Sequence, residues 1–262
     1  MKSEIIKKLD KFINPPDFFT FDEEHHKYHY HGKELISVTT YYSRFYKKFD
    51  TEYWADYKAK ELDVPIEVIK EDWKNKADLG TTVGSIVHKW IEDFLNGYNP
   101  EIPKIDFKIG EYCVDYINEL IELRIKKWQK IYLDKLSKMT PIAQELRIWS
   151  LKYELAGTID TLFLYKNALI VGDWKTNKAF TTDDDHAYDM LKFPFDDQKD
   201  NNLNRFSIQV SLYRLMLEDH NIETGPSFIC WVPRDEADAK FFPAKDYRTR
   251  LREYFMLIKR IK

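Results

Sequence analysis

Gly157-Thr158-Ile159-Asp160 and Leu169-Ile170-Val171-Gly172-Asp173-Trp174-Lys175-Thr176 decide how this chain is read. The second stretch is an apolar run that ends in two opposite charges. Residues two apart on a strand share a face, so Asp173 and Lys175 project the same way. The polar pair Lys166-Asn167 lies between the stretches and predicts a tight antiparallel turn that carries Asp160 next to Asp173. Two carboxylates brought together repel, and a hard divalent cation removes that penalty. Carboxylate oxygens around an incomplete shell suit Mg²⁺ or Mn²⁺, and the Trp174 carbonyl would be a further ligand. An Asp-x-Lys pair alone is usually a solvated face. Here it closes a buried strand, which is where α/β proteins place their sites.

Working outward, Ile142 to Leu151 reads as a strand joined to Gly157–Tyr165 by a turn at Tyr153-Glu154, so the three strands form an antiparallel meander. Ahead of it, residues 1–16 read as a polar lead, and Phe18 to Val38 as a β-hairpin around Gly32. Ser37-Val38-Thr39-Thr40 offers hydroxyls for a helix N-cap. Tyr53 to Lys76 reads as helix broken at Pro65. A clearer helix begins near Thr81, where Val83, Ile86, Val87, Trp90, Ile91 and Phe94 recur at helical spacing up to Gly97. Gly110 to Met139 predicts a long helix with a basic far end. After a polar stretch from Asp183 to Asn202 read as a loop, Leu203–His220 predicts a deeply packed helix, Ser227–Pro233 a short buried strand and Tyr247–Lys262 a basic helix. The expected class is α/β: a central mixed sheet holding the antiparallel meander, flanked by helices.

Composition limits the function classes without choosing one. With 41 basic and 44 acidic residues in 262, the net charge is -3, so no wholesale basic surface points to nucleic acid. Cys113 and Cys230 are the two cysteines, too few and too far apart for a disulfide framework, a zinc ribbon or a four-cysteine cluster. Met1 to Phe12 carries Glu4 and Asp10 and lacks an apolar targeting core, and no apolar run reaches membrane-spanning length. A cytoplasmic protein of a bacterial or phage-infected cell, without membrane contact, is expected.

Taken in order, Gly157-Thr158-Ile159-Asp160, Asp173-Trp174-Lys175-Thr176 and Gln209-Val210-Ser211-Leu212-Tyr213 resemble the RecB-like exonuclease branch of the PD-(D/E)XK nuclease superfamily. Ser37–Thr40 and the pattern of Gly84, His88, Ile91 and Glu92 are most similar to mitochondrial genome maintenance exonuclease and its phage relatives. The resemblance covers roughly residues 20 to 235 through a few short motifs. It implies a restriction-endonuclease-like core over 41–262, behind an extension and hairpin at 1–40. It implies a metal-dependent deoxyribonuclease acting on single-stranded or frayed DNA ends in repair, recombination or replication. Carried over to this chain, His88, Asp160 and Asp173 bind metal, Lys175 acts on the attacking water, and Gln209 and Tyr213 sit beside the site.

Other residues carry open alternatives. A single histidine on an apolar helix, such as His88, is more often packed than ligating. Glu145 is a secondary catalytic candidate, with an ion pair to Arg147 or Lys152 as its plain alternative. Gln209 and Tyr213, four apart on a helix, would together hold the Lys175 amine, a phosphate or a base. His29 and His31 share a strand face but lack a third ligand, so a hairpin surface is expected. Thr176, Lys178, the basic run from Arg124 to Lys138, and Arg248, Arg250 and Arg252 are candidates to contact phosphates. Tyr41, Tyr42, Phe45, Tyr46 and Trp54 are candidates to stack bases. For any one of these cations or rings, helix surface or core is the simpler reading. A Cas4-like nuclease would need the cluster cysteines this chain lacks. A non-catalytic DNA-binding module would gain nothing from acids that repel phosphate.

Overall fold

The computed structural model describes residues 2–185, 189–235 and 237–261. Residues 186–188 of the polar stretch and Lys262 of the last helix lie outside them. The sheet is built around the three-stranded meander: β4 (Thr140–Ser150), β5 (Leu155–Tyr165) and β6 (Ala168–Lys175). Its turns sit where the sequence placed them, with Glu154, Lys166 and Asn167 all in the left-handed region. The sheet extends through β7 (Phe228–Trp231), which is parallel to β6, and β8 (Lys240–Pro243), antiparallel to β7. On the other side stand β1 (Phe19–Asp22), β2 (Lys27–Tyr30) and β3 (Lys33–Ser37), a three-stranded antiparallel unit rather than a two-stranded hairpin. These make an eight-stranded mixed sheet, the expected α/β class.

One detail of the register positions everything that follows. Strand β5 is bordered along one edge by β4. Its other edge pairs with β3 only at Leu155 and Ala156, and with β6 only from Thr161 onward. Between those two ladders the sheet splits, and Gly157 to Asp160 line the gap. The helices α2 (Val38–Tyr42) and α6 (Asn202–Asp219) close it from one side. A Cβ at Gly157 would lie 2.8 Å from a Tyr213 ring carbon, so only glycine lets that ring approach. Ser37 caps α2, its hydroxyl accepting the Thr40 N–H at 3.1 Å as expected.

Helices cover both faces. On one face, α4 (Ile66–Leu95) and α5 (Val114–Ile131) pack Val87, Ile91 and Trp128 against Phe163, Trp174 and Phe228. On the other, α2, α6 and the terminal α7 (Arg248–Ile261) pack with α1 (Lys2–Ile13) against Leu146, Val171 and Ile229. α3 (Thr51–Leu62) lies outside, holding a small cluster with the start of α4. Helix α6 is buried from Ser207 to Leu217 on every side, as its apolar composition predicts.

Three further sequence readings are corrected, and one strand is added. Residues 1–16 are no polar lead: α1 buries Leu9 and Phe12 at helical spacing, with Ile5 beside them. The helix expected from Thr81 starts directly after Pro65 and runs unbroken through Gly80 and Gly84, because the tertiary contacts of its apolar stripe outweigh two glycine penalties of about 1 kcal/mol each. The helix expected over 110–139 is shorter, starting at Val114 and ending in a widened turn over Tyr132–Leu136. Strand β8 was not foreseen; it is a short edge strand ending in Pro243, with half its residues exposed. No helix among the described residues is long and apolar enough to cross a membrane.

Candidate active site

The meander brings three carboxylates side by side. Gln144 faces Thr161 and Leu146 faces Ile159, which sets Glu145 across from Asp160. The β5–β6 ladder runs to Thr161 and Gly172, so Asp160 and Asp173 occupy the next step. There Asp160 replaces the ladder: its Oδ2 accepts the Trp174 N–H at 2.7 Å, pinning the carboxylate at the mouth of the split. Trp174 is held on the opposite face, its ring edge-on to Trp128 at 5.6 Å, and this anchors the strand end that bears Asp173 and Lys175. Glu145 has φ 46, the left-handed region, in the middle of a strand. A non-glycine residue held there costs about 1–3 kcal/mol and is typical of positions fixed for function.

His88 arrives from α4. One turn earlier, a Cβ at Gly84 would lie 2.9 Å from Thr176 Oγ1, so glycine permits the helix to press against the end of β6. That approach leaves His88 Nδ1 3.9 Å from Asp160 Oδ2 and 4.0 Å from Glu145 Oε1. Burial, with the nearby Lys175 charge, lowers the imidazole to about 4, while a hydrogen bond with the Trp174 backbone opposes the shift. At neutral pH the ring is uncharged and keeps a lone pair for a cation.

The carboxylates carry the opposite stress. Burial, then the Asp160, Glu92 and Asp173 charges, raise Glu145 to about 8. Burial also raises Asp160, against the pull of Lys175 and the Trp174 N–H. Asp173, 1% exposed, is raised to about 6 by burial and by Asp160, with Lys175 pulling it back. The Lys175 amine lies 2.9 and 2.7 Å from the two Asp173 oxygens and 4.6 Å from the Phe206 ring centre. Burial works to lower Lys175, but Asp173 and Asp160 outweigh it and hold the amine above its ordinary value.

The donor set fits a hard divalent cation. His88, Glu145 and Asp160 each offer a ligand atom, all within 4.8 Å of one another. Neighbouring carboxylates that resist ionisation are what such an ion would stabilise. This grouping differs from the one expected. Asp173 is engaged by Lys175, and the Trp174 carbonyl faces the His88 ring, whereas Glu145 joins the cluster. The alternative partners for Glu145 are engaged elsewhere: Arg147 pairs with Glu23 at 3.0 Å and lies over the Phe21 ring, and Lys152 lies over the Tyr153 ring.

Gln209 and Tyr213 lie in a cavity of about 560 Å³ that opens on Glu145 and Asp160 and is walled by Ser37, Thr40 and Tyr28. They do not hold Lys175. Gln209 Nε2 donates to the Tyr213 hydroxyl at 3.1 Å, and Asp173 takes the amine. Thr176 lines the next cavity with His88 and Glu145, and Lys178 lies further out on the same groove. Most other candidate cations are already engaged. Lys126 pairs with Glu122 and Lys130 with Asp238, while Arg248 and Arg252 pair with Glu218, and Arg250 with Asp197. Tyr41, Tyr42 and Phe45 are core residues, whereas Trp54 is exposed. His31 stacks on Phe18 and His25 pairs with Asp22, consistent with a hairpin surface. Arg124, read in the sequence as one more member of a basic run with helix surface as its simpler role, is instead buried and bonded to the Thr176 carbonyl just beyond β6.

No family model and no curated protein matches the chain. Among solved structures it is similar to a presumptive exonuclease from Eubacterium rectale, at 17% identity and a TM-score of 0.44, over 70% of this chain and 66% of that one. The match thus spans less than two thirds of that protein.

Proposed function

We propose that the chain is a divalent-metal-dependent nuclease of the PD-(D/E)XK type, hydrolysing DNA phosphodiester bonds from single-stranded or frayed ends. One observation carries the reading. A lysine amine is fixed on a buried aspartate directly beside a neutral histidine and two crowded carboxylates. Mg²⁺ or Mn²⁺ held by His88, Glu145 and Asp160 would supply Lewis acidity to a phosphoryl oxygen and acidify water.

The chain's own residues do the rest. Lys175 is protonated well above neutral pH, so it is a donor to developing negative charge rather than the proton acceptor. Asp173 aims that amine, and the Phe206 ring face completes its seat. Gln209, Tyr213 and the hydroxyls of Ser37 and Thr40 provide polar groups along one arm of the groove for sugar, phosphate or base. A role in repair, recombination or replication follows if ends are the substrate.

The test is digestion of end-labelled single- and double-stranded DNA with Mn²⁺, with Mg²⁺ and with EDTA, comparing the wild type with Lys175→Ala. Cleavage that EDTA and the substitution both abolish is expected. Cleavage of a covalently closed circle as fast as a linear strand would remove the end-directed part, and absence of metal-dependent cleavage would sink the whole reading.

A further inference from the structure

Beyond Lys175 the groove continues into a cavity of about 470 Å³ that shares His88, Lys175 and Thr176 with the candidate site. Its charge is one-sided. Lys76, Arg124, Lys175, Lys178 and Arg234 line it, with no aspartate or glutamate among the lining residues, in a chain whose net charge is -3. Two of these cations are engaged, Lys175 by Asp173 and Lys76 by Asp72 at 2.5 Å. Lys178 and Arg234 have no partner among the described residues.

Arg124 is the informative member. Its side chain is 1% exposed, and it gives one bond, Nη2 to the Thr176 carbonyl at 2.7 Å. Its Nε and Nη1 are buried without any partner. Burial and the neighbouring Arg234 charge lower the guanidinium to about 10, so it remains a cation at neutral pH. An arginine sunk beside other cations with two donors unused is costly unless an anion completes it. Guanidinium forks and lysine ammoniums are the groups that take phosphate oxygens.

We propose that this cavity is a phosphate subsite, in which Arg124, Lys178 and Arg234 hold a phosphate of the nucleic-acid strand next to the bond at Lys175. The inference rests on the nuclease reading for its substrate and extends it to a defined contact. Through the Thr176 carbonyl, Arg124 also ties the subsite to the strand that carries Asp173 and Lys175. The same chemistry is offered by an internal diester or by a terminal phosphate.

The test is metal-free binding of a fluorescent oligothymidylate, followed by anisotropy across a salt series, with hydroxyl, 5′-phosphate and 3′-phosphate ends. The Lys178→Ala/Arg234→Ala double variant should bind roughly tenfold more weakly or worse, with a salt slope lower by about 0.7 for each lost phosphate contact. Arg124→Lys, folded by circular dichroism, should show a comparable loss. Lys130→Ala, on the outer surface of α5, should bind as the wild type. A loss confined to one phosphorylated end identifies a terminal phosphate, and an equal loss for all ends an internal diester; both support the subsite. Unchanged affinity and slope in the double variant would overturn it. Cleavage by the wild type in Mn²⁺ is measured in parallel. Binding that needs these cations without any cleavage defeats only the nuclease reading, whereas cleavage with cation-independent binding defeats only the subsite.

Discussion

Replacing Lys175 by methionine keeps the length and packing of the side chain over Phe206 but removes the charge that faces Asp173. The cost follows from the titration of Asp173. Its folded-state value is about 6 against an ordinary 3.8, so native stability falls as pH rises between those values in the wild type. Above about 6 the wild-type carboxylate is ionised in both states and the fall stops. Without Lys175, the strongest influence drawing the value down, Asp173 stays protonated in the folded state and the fall goes on. The two proteins should therefore be nearly equal in stability at pH 5. They should diverge above about pH 6, by about 1 kcal/mol for each further pH unit, so that the gap at pH 8 is about twice that at pH 7. Urea unfolding in EDTA at pH 5, 7 and 8 measures the difference. Adding Asp173→Asn to Lys175→Met should abolish the divergence without restoring cleavage. A penalty of equal size at pH 5 and pH 8 would show that the amine is not paired with a buried, raised carboxylate, and the reasoning would fail.

Three further outcomes are expected. Glu145 and Asp160 are both raised, Glu145 to about 8, so the metal-free protein should lose thermal stability as pH climbs from the ordinary carboxylate range through about 8, and saturating Mn²⁺ should cancel that loss; melting curves with and without Mn²⁺ decide it. Glu145→Gly removes a side chain from a left-handed position, so stability should be unchanged or up to about 1 kcal/mol higher while the Mn²⁺-induced shift in melting temperature disappears; a clear loss of stability would contradict the strain argument. Gly84→Ala improves helix propensity by about 1 kcal/mol yet drives a methyl against Thr176, so Mn²⁺ affinity measured by calorimetry should fall about tenfold or more in a protein that melts no lower than the wild type.

The meander was readable because its information is local. Apolar runs, two turn signals and charges at a strand end lie within Ile142 to Thr176, and pairing register follows from turn length. The regrouping of the carboxylates was not local. Whether Glu145 or Asp173 faces His88 depends on the left-handed turn of backbone at Glu145 and on Lys175 choosing Asp173, and neither is written in residue spacing. Arg147 was an equal candidate to neutralise Glu145 until Glu23, far away in sequence, took it. Arg124 shares its helix with the solvated Lys126 and Lys130, and only contacts with another element, the Thr176 carbonyl among them, set it apart from these. The first helix was misread as a polar lead: Ile5, Leu9 and Phe12 keep helical spacing, but the surrounding lysines and acids masked the stripe. Strand β8 had no such signal, since four residues at a sheet edge carry too little pattern.

Because Glu145, Asp160 and Asp173 sit on strands joined by tight turns, closing the meander is enough to bring them together, without the docking of distant segments. Crowding of like charges thus comes with local pairing alone, and any state in which the meander has closed carries it. Divalent ions present during renaturation would accordingly change how fast the chain reaches its native state, in addition to how tightly it stays there.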